Sequence, residues 1–385
     1  MALAHMGGDH PSKPGYFLNF VVALQTFFRN PVVILKNLSH SYKAAAFFYT
    51  GNICYACFEH LGDIVHLEIA VANHAKAVKL THDGHPDKPM YLMNLGSTQG
   101  SRFKHIGDLV DLENAILHQT KVVEFMDDGH LSKSICLMNL SISQQTRFEH
   151  LGNLSDLENA ILNQQKAVQL TDDGHPNQPT YLSNLGISQH THFERIGGLS
   201  DLENAILNQQ KAVQLIDDRH PNQPTYLSNL GSAQEARFKC LGNLSDLENA
   251  ISNQQKAIGL MDDRHPSQPM CFSNLGTAQY TCFQCLGNLS DLMNAISNKQ
   301  QAIQLTDDRH PSKAMRLMNP GVSHQTRFER LSNLSDLQNA IANQQKAIGL
   351  MDDRHPNQPM YFSNIGTAQE TRFQRLGNSV AAFFS

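Results

Sequence analysis

NQPTYLSNLGISQHTHFERIGGLSDLENAILNQQKAVQLIDD, residues 177–218, is the unit from which most of this 385-residue chain is copied. It reads as two amphipathic helices, over 179–196 and 201–216, closed by the loop Asp217-Asp218-Arg219-His220-Pro221. In the second helix Leu202, Ala205, Ile206, Gln209 and Val213 fall at i, i+3, i+4, i+7 and i+11, the stripe of a helix facing a core. Leu199 and Leu215 extend that stripe. The first helix is expected to bury Leu182, Leu185, Phe193 and Ile196, with Gly186 small enough to let its partner approach. A connection as short as Gly197-Gly198 makes the two helices antiparallel. Ser200-Asp201-Leu202-Glu203 reads as a capping box, in which serine and glutamate satisfy the first free amides of the helix. The box returns at Ser155/Glu158 and Ser245/Glu248, whereas Ser290 and Ser335 face Met293 and Gln338.

Outward from this unit the period is counted on the loop histidine, which recurs at His85, His130, His175, His220, His265, His310 and His355. Every interval is 45 residues. A fixed spacing in this range means stacked supersecondary units, none able to bury its apolar face alone and each covering its neighbour's.

Asn184-Leu185-Gly186 in the first helix, followed by Ala205, Ala212 and Asp217 at intervals of seven and five, resembles the tetratricopeptide repeat. The resemblance covers residues 51–377. It implies an all-α fold, a right-handed α-solenoid of antiparallel helix pairs whose first helices line the concave side of a superhelix. The unit here is longer than that family's repeat of about 34 residues, and Asp217 stands where the family ends its second helix with proline. The phrasing is similar to a fungal variant of the repeat that is often attached to CHAT or nucleotide-binding domains.

Three domains are expected: an irregular segment over 1–50, an array of about seven repeats over 51–377, and an apolar tail over 378–385 that stops half a repeat short. The first of these holds a degenerate repeat around His10 and an insertion over 22–50, and its apolar pieces are broken by Arg29, Lys36 and Lys43. None reaches the roughly 20 apolar residues of a membrane span. Ending on an apolar face predicts self-association at the uncapped C-terminal end. Pro320 takes a position held by leucine or isoleucine in the other copies, so a shortened helix is predicted to begin near it, with Asn319 as its cap.

With 17% charged residues, a net charge of −5 and no tryptophan, the composition gives no pull towards nucleic acid. The seven cysteines include the spacings Cys54-x-x-Cys57 and Cys282-x-x-Cys285, but these lie in different registers of the repeat and several units apart. Cys57 and Cys282 share a column with Arg102, Arg147 and Arg237, and Cys136 and Cys271 share one with Tyr91 and Tyr181. Reduced thiols of a cytoplasmic protein are expected, with neither metal nor cofactor. The Asp-Asp-x-His-Pro loop has the residue types of a metal site, yet the same types close turns and stop helices. An enzyme needs one convergent site, and these residues are spread evenly along an array, so no catalytic role is expected.

The candidate binding residues lie on the first helices. The asparagine before Leu-Gly stands at Asn94, Asn139, Asn184, Asn229, Asn274, Asn319 and Asn364, and resembles the residue that holds a bound peptide's backbone in related arrays. The alternative is that each bonds a neighbouring repeat and holds the stack together. One turn past the glycine the chain varies most, with Gly100, Gln145, His190, Glu235, Tyr280, Gln325 and Glu370. Variation on one face of a repeated framework suits the reading of partners, and equally suits an unconstrained solvent face. The expectation is a non-enzymatic scaffold for protein or peptide partners on the concave face. The alternative is a sensor arm of a larger signalling or CHAT-protease-type protein.

Overall fold

The structure is a computed structural model that describes residues 40–262, 265–350 and 358–384. The chain divides into two compact units, Met1–Leu170 and Thr171–Ser385, and among the described residues every regular element is an α-helix.

In the first unit α1 (His40–Leu61) pairs with α2 (Ile64–Leu80), α3 (Lys88–Ile106) with α4 (Leu109–Phe125), and α5 (Lys133–Leu151) with α6 (Leu154–Gln169). In the second, α7 (Gln178–Ile196) pairs with α8 (Leu199–Gln214), α9 (Gln223–Leu241) with α10 (Leu244–Gly259), α11 (Gln268–Leu286) with α12 (Leu289–Gln304), and α13 (Lys313–Leu331) with α14 (Leu334–Gly349). α15 (Gln358–Phe384) packs on α14. This is the all-α solenoid of antiparallel helix pairs that the 45-residue period implies. α7 and α8 begin and end within two residues of the bounds expected for the repeat.

The stripe expected on the second helix forms the core. Leu202 and Ala205 are fully buried, and so are their counterparts in the other second helices, such as Leu112 with Ala115 and Leu292 with Ala295. Each leucine contributes about 1.5–3 kcal/mol by leaving water. The alanines permit close approach, and Gly186 completes it: a Cβ there would lie 2.8 Å from Gln209 Nε2 and 3.1 Å from the Ala205 carbonyl. On the first helix Leu182 and Leu185 are buried as expected, but Ile196 is 53% exposed. It lies in the last turn of α7, and Leu241 and Leu286 are exposed in the same register.

The turn between the paired helices needs a left-handed residue, supplied by Gly107, Gly152, Gly197, Gly242 and Gly287, with Ser332 taking φ 56° in the last pair. The glycines of the Asp-Asp-Gly-His loops are not among the left-handed ones. The capping box also moves. The N-cap is the residue two before the serine, and Asn153, Asn243, Asn288 and Asn333 each accept the amide of that serine through Oδ1. Asparagine caps as well as serine does, and starting earlier brings Leu154 and its counterparts into the first turn. In α8 the cap is Gly198, which makes no side-chain bond.

Pro320 does not start a helix. α13 runs through it from Lys313 to Leu331. Pro320 is buried, Leu317 and Met318 pack with Ala347, Ile303 and Ile348, and Gly321 lies against Gln344. These contacts on both sides keep the backbone helical although the proline deletes one hydrogen bond of the ladder. The segments expected around His10 and the loop of His355 lie outside the described residues. α1 already begins at His40, and α15 continues through Gly377 and Asn378 into the segment expected as an apolar tail.

Candidate peptide-binding face

Within each unit the first helices of consecutive repeats touch: α1 with α3, α3 with α5, α7 with α9, and α9 with α11. Side chains 46 residues apart link them. Tyr55 Oη lies 2.9 Å from Ser101 Oγ, Thr180 Oγ1 3.0 Å from Tyr226 Oη, and Tyr280 Oη 3.0 Å from Thr326 Oγ1. The asparagine column lies along these faces, half-buried from Asn94 to Asn364.

Individual asparagines do different things. Asn94 Nδ2 donates to the Met90 carbonyl of its own helix at 2.9 Å. Asn274 Nδ2 reaches the preceding repeat, donating to Ser232 Oγ at 3.2 Å and Ser228 Oγ at 3.4 Å. Asn229 Nδ2 is shielded from solvent and has no hydrogen-bond partner. It lines a cavity of about 90 Å³ with Gly186, His190, Gln209 and Ser232. Asn139 lines a second cavity, of about 180 Å³, in the first unit. Asn184 and Asn319 hold the same half-buried position.

The variable column is less uniform than its spacing suggests. Gln145 Nε2 donates to Glu149 at 3.4 Å, and Glu370 is exposed and accepts from Gln374 at 3.2 Å. Gln325 is half-buried. His190 is half-buried, and burial pulls its imidazole below the ordinary value while Glu194 opposes this. Glu235 is only 7% exposed, held by Lys239 at 2.7 Å and accepting from Thr281 Oγ1 at 3.4 Å.

Beneath the face runs a polar column that sequence reasoning placed only in the core stripe. His74, Gln119, Gln164, Gln209, Gln254, Lys299 and Gln344 are all buried. Gln209 Nε2 donates to the Ser183 carbonyl at 2.8 Å and Gln254 Nε2 to that of Ser228 at 2.8 Å, while both serine hydroxyls donate back to the glutamine oxygens. Lys299 replaces glutamine once. Its Nζ donates to Ser323 Oγ at 2.9 Å and sits 4.7 Å from the Tyr280 ring centre. Burial pulls its ammonium down to about 8, against the charge of Glu235. A polar residue recurring every 45 residues inside an apolar stripe was the signal for this column.

The paired helices are pinned by a contact that sequence reading missed. Arg147 Nε donates to Asp156 Oδ2 at 2.9 Å and Arg237 Nε to Asp246 Oδ2 at 2.8 Å, each with a second bond from the guanidinium, and Arg102–Asp111 and Arg327–Asp336 repeat the fork. His192 and Cys282 substitute for the arginine opposite Asp201 and Asp291. Burial works against ionisation of Asp336, but the hydrogen bonds from Arg327 and His324 outweigh it and hold the carboxyl below its usual range.

The Asp-Asp-x-His loop is built as a turn. The histidine Nδ1 accepts the backbone amide two residues on, as in His130 to Ser132 at 3.1 Å and His220 to Asn222 at 3.1 Å. The second aspartate crosses to a lysine one repeat further along, Asp128 to Lys166 at 2.5 Å and Asp218 to Lys256 at 2.8 Å. Among the described residues no three His, Cys, Asp or Glu side chains converge as a metal site. All seven cysteines are free, and burial pushes the Cys54 and Cys136 thiols up to about 11. No helix of the described residues is long and apolar enough to cross a membrane.

No protein-family model matches the chain, and no curated protein does. Among solved structures it is similar to the Cut9–Hcn1 hetero-tetramer of the APC/C, at 15% identity and a TM-score of 0.50 over 85% of this chain and 54% of that one. The chain thus spans about half of the Cut9–Hcn1 chain. It also matches the assembly chaperone of RpL4, Acl4, at 13% identity and a TM-score of 0.49 over 77% and 99% of the two chains. A third match is YrrB, described as a TPR protein with an unusual peptide-binding site, at 16% identity and a TM-score of 0.36 over 61% and 93%. At these identities the likeness is one of fold, and the fold is that of a tetratricopeptide-like α-solenoid.

Proposed function

We propose that the chain is a non-enzymatic scaffold whose first-helix face holds an extended peptide segment of a protein partner by its backbone. The observation that carries this is Asn229. Its Nδ2 donor is shielded from solvent without a partner and lines the 90 Å³ cavity between α7 and α9. A buried unsatisfied donor costs about 1–3 kcal/mol, which a carbonyl entering the cavity would recover. Asn139 lines a cavity in the same register of the first unit, so the cavity recurs in step with the array. A ladder of amides spaced in this way binds main chain and leaves sequence preference to the side chains between them. The net charge of −5 and the singly placed basic residues favour protein over nucleic acid as the partner, and the free thiols suit the cytoplasm.

The test is display of random 16-residue peptides against the immobilised full chain. Enriched peptides whose binding is lost on N-methylation of their backbone support the reading, and a library that yields no enriched peptide rejects it.

A further inference from the structure

Gly96 and Gly100, one turn apart on α3, are glycines for different reasons. A Cβ at Gly96 would lie 3.0 Å from Gln119 Cγ and 3.2 Å from the Ala115 carbonyl, so the helix crossing excludes a side chain there. At Gly100 nothing lies within 4 Å of the Cβ position, and φ is not in the left-handed region. Neither packing nor backbone demands glycine at 100, although glycine inside a helix weakens it. Every other copy of this column carries a large side chain, from Gln145 to Glu370.

The missing side chain coincides with the cavity of about 180 Å³, far above the roughly 10–15 Å³ that one water needs. Its apolar walls are the rings of Tyr55 and Phe103 with Leu112 and Ile142, and serine, threonine and asparagine side chains complete the lining. Gln119, only 5% exposed, also lines it, and Gln119 Oε1 is buried with no hydrogen-bond donor. That acceptor selects the occupant. A carboxylate or an aliphatic side chain has nothing to donate to it. A cation finds no acidic side chain among the described lining residues and meets Lys104. An apolar body with a donor satisfies the apolar walls and the acceptor; tyrosine and tryptophan have that form, and only the phenol carries its donor at the tip of the ring.

We propose that the cavity opened by Gly100 is an anchor pocket for a tyrosine side chain of the bound segment, its phenol donating to Gln119 Oε1. The pocket rests on the peptide-binding reading for its biological partner, but its chemistry is testable without one. N-acetyl-tyrosinamide and N-acetyl-phenylalaninamide are titrated into the full chain and followed by ligand-detected NMR. The phenol is expected to bind about three- to tenfold more tightly, the worth of one net hydrogen bond. Gly100→Gln fills the cavity with the residue found at 145 and 325 and favours the helix, so it keeps the fold while abolishing phenol binding. Gly100→Ala places a methyl in open space and keeps binding.

Equal affinity for the two amides, no binding of the tyrosine amide, or binding unchanged in G100Q overturns the pocket. Amide binding without any enriched peptide sustains the pocket and rejects the groove. Enriched peptides without amide binding do the reverse.

Discussion

Asp246 has 2% of its surface exposed and is an acid in the seam between two helices, a placement tolerated only because Arg237 grips both its oxygens. Removing one partner of a buried pair leaves an unpaired charge, which costs roughly 3–5 kcal/mol when burial is complete. The Arg237 side chain is 28% exposed, so water shares the load. Arg237→Met is expected to destabilise the second unit by about 2–3 kcal/mol in urea unfolding, and a change inside the roughly 0.5 kcal/mol typical of surface substitutions would mean that water reaches Asp246.

His74 gives a pH signature. It is 1% exposed between Asn52 at 3.1 Å and Thr98 at 3.3 Å, and burial pulls its imidazole down to about 4. The unfolded chain takes up this proton near 6.5 and the folded chain only near 4, so stability is full above 6.5 and falls as pH drops towards 4. The loss is on the order of 3 kcal/mol. His74→Gln, the residue that holds most other copies of the column, is expected to remove this part of the acid slope; an identical slope would place the titration elsewhere. At this scale the sequence showed the columns but not their partners. Gln209 could be assigned to the core stripe, whereas Asp201 and its counterparts were absorbed into a capping box, because pairing across a helix turn is invisible to spacing along one helix.

Elements were the most legible level. Apolar residues at helical spacing and short glycine turns determine two helices per repeat, and both are properties of local sequence. What local rules could not weigh was tertiary support, and Pro320 shows this: intrinsic propensity argues for a break, yet packing of Leu317, Met318 and Gly321 against α14 holds α13 continuous. That support opposes a cost of about 3 kcal/mol for proline inside a helix. Pro320→Leu restores the residue of the neighbouring copies and is expected to stabilise the second unit by about 2–3 kcal/mol, read as a higher urea midpoint at unchanged slope. An unchanged midpoint would show that the helix bears no strain at this position. The cap shifted for a related reason. Asparagine and serine are near-equal caps, so local preference alone does not choose between them.

For the whole molecule, the 45-residue period was readable because each repeat buries its apolar face only on its immediate neighbours, which makes architecture a repeated local property. The division at residue 170 was not readable, since no change of composition accompanies it. The binding face was legible as two columns of positions, but the difference between Asn274, tied to its neighbour, and Asn229, with a donor to offer, depends on side-chain geometry alone.

The direct test of that face is the affinity of one display-enriched peptide for the full chain and for the double variant Asn184→Ala and Asn229→Ala, measured by calorimetric titration with helicity checked in parallel. Loss of two main-chain contacts predicts affinity at least about fivefold weaker at unchanged helicity. An affinity within about twofold of the wild type would show that the peptide does not lie along the asparagines.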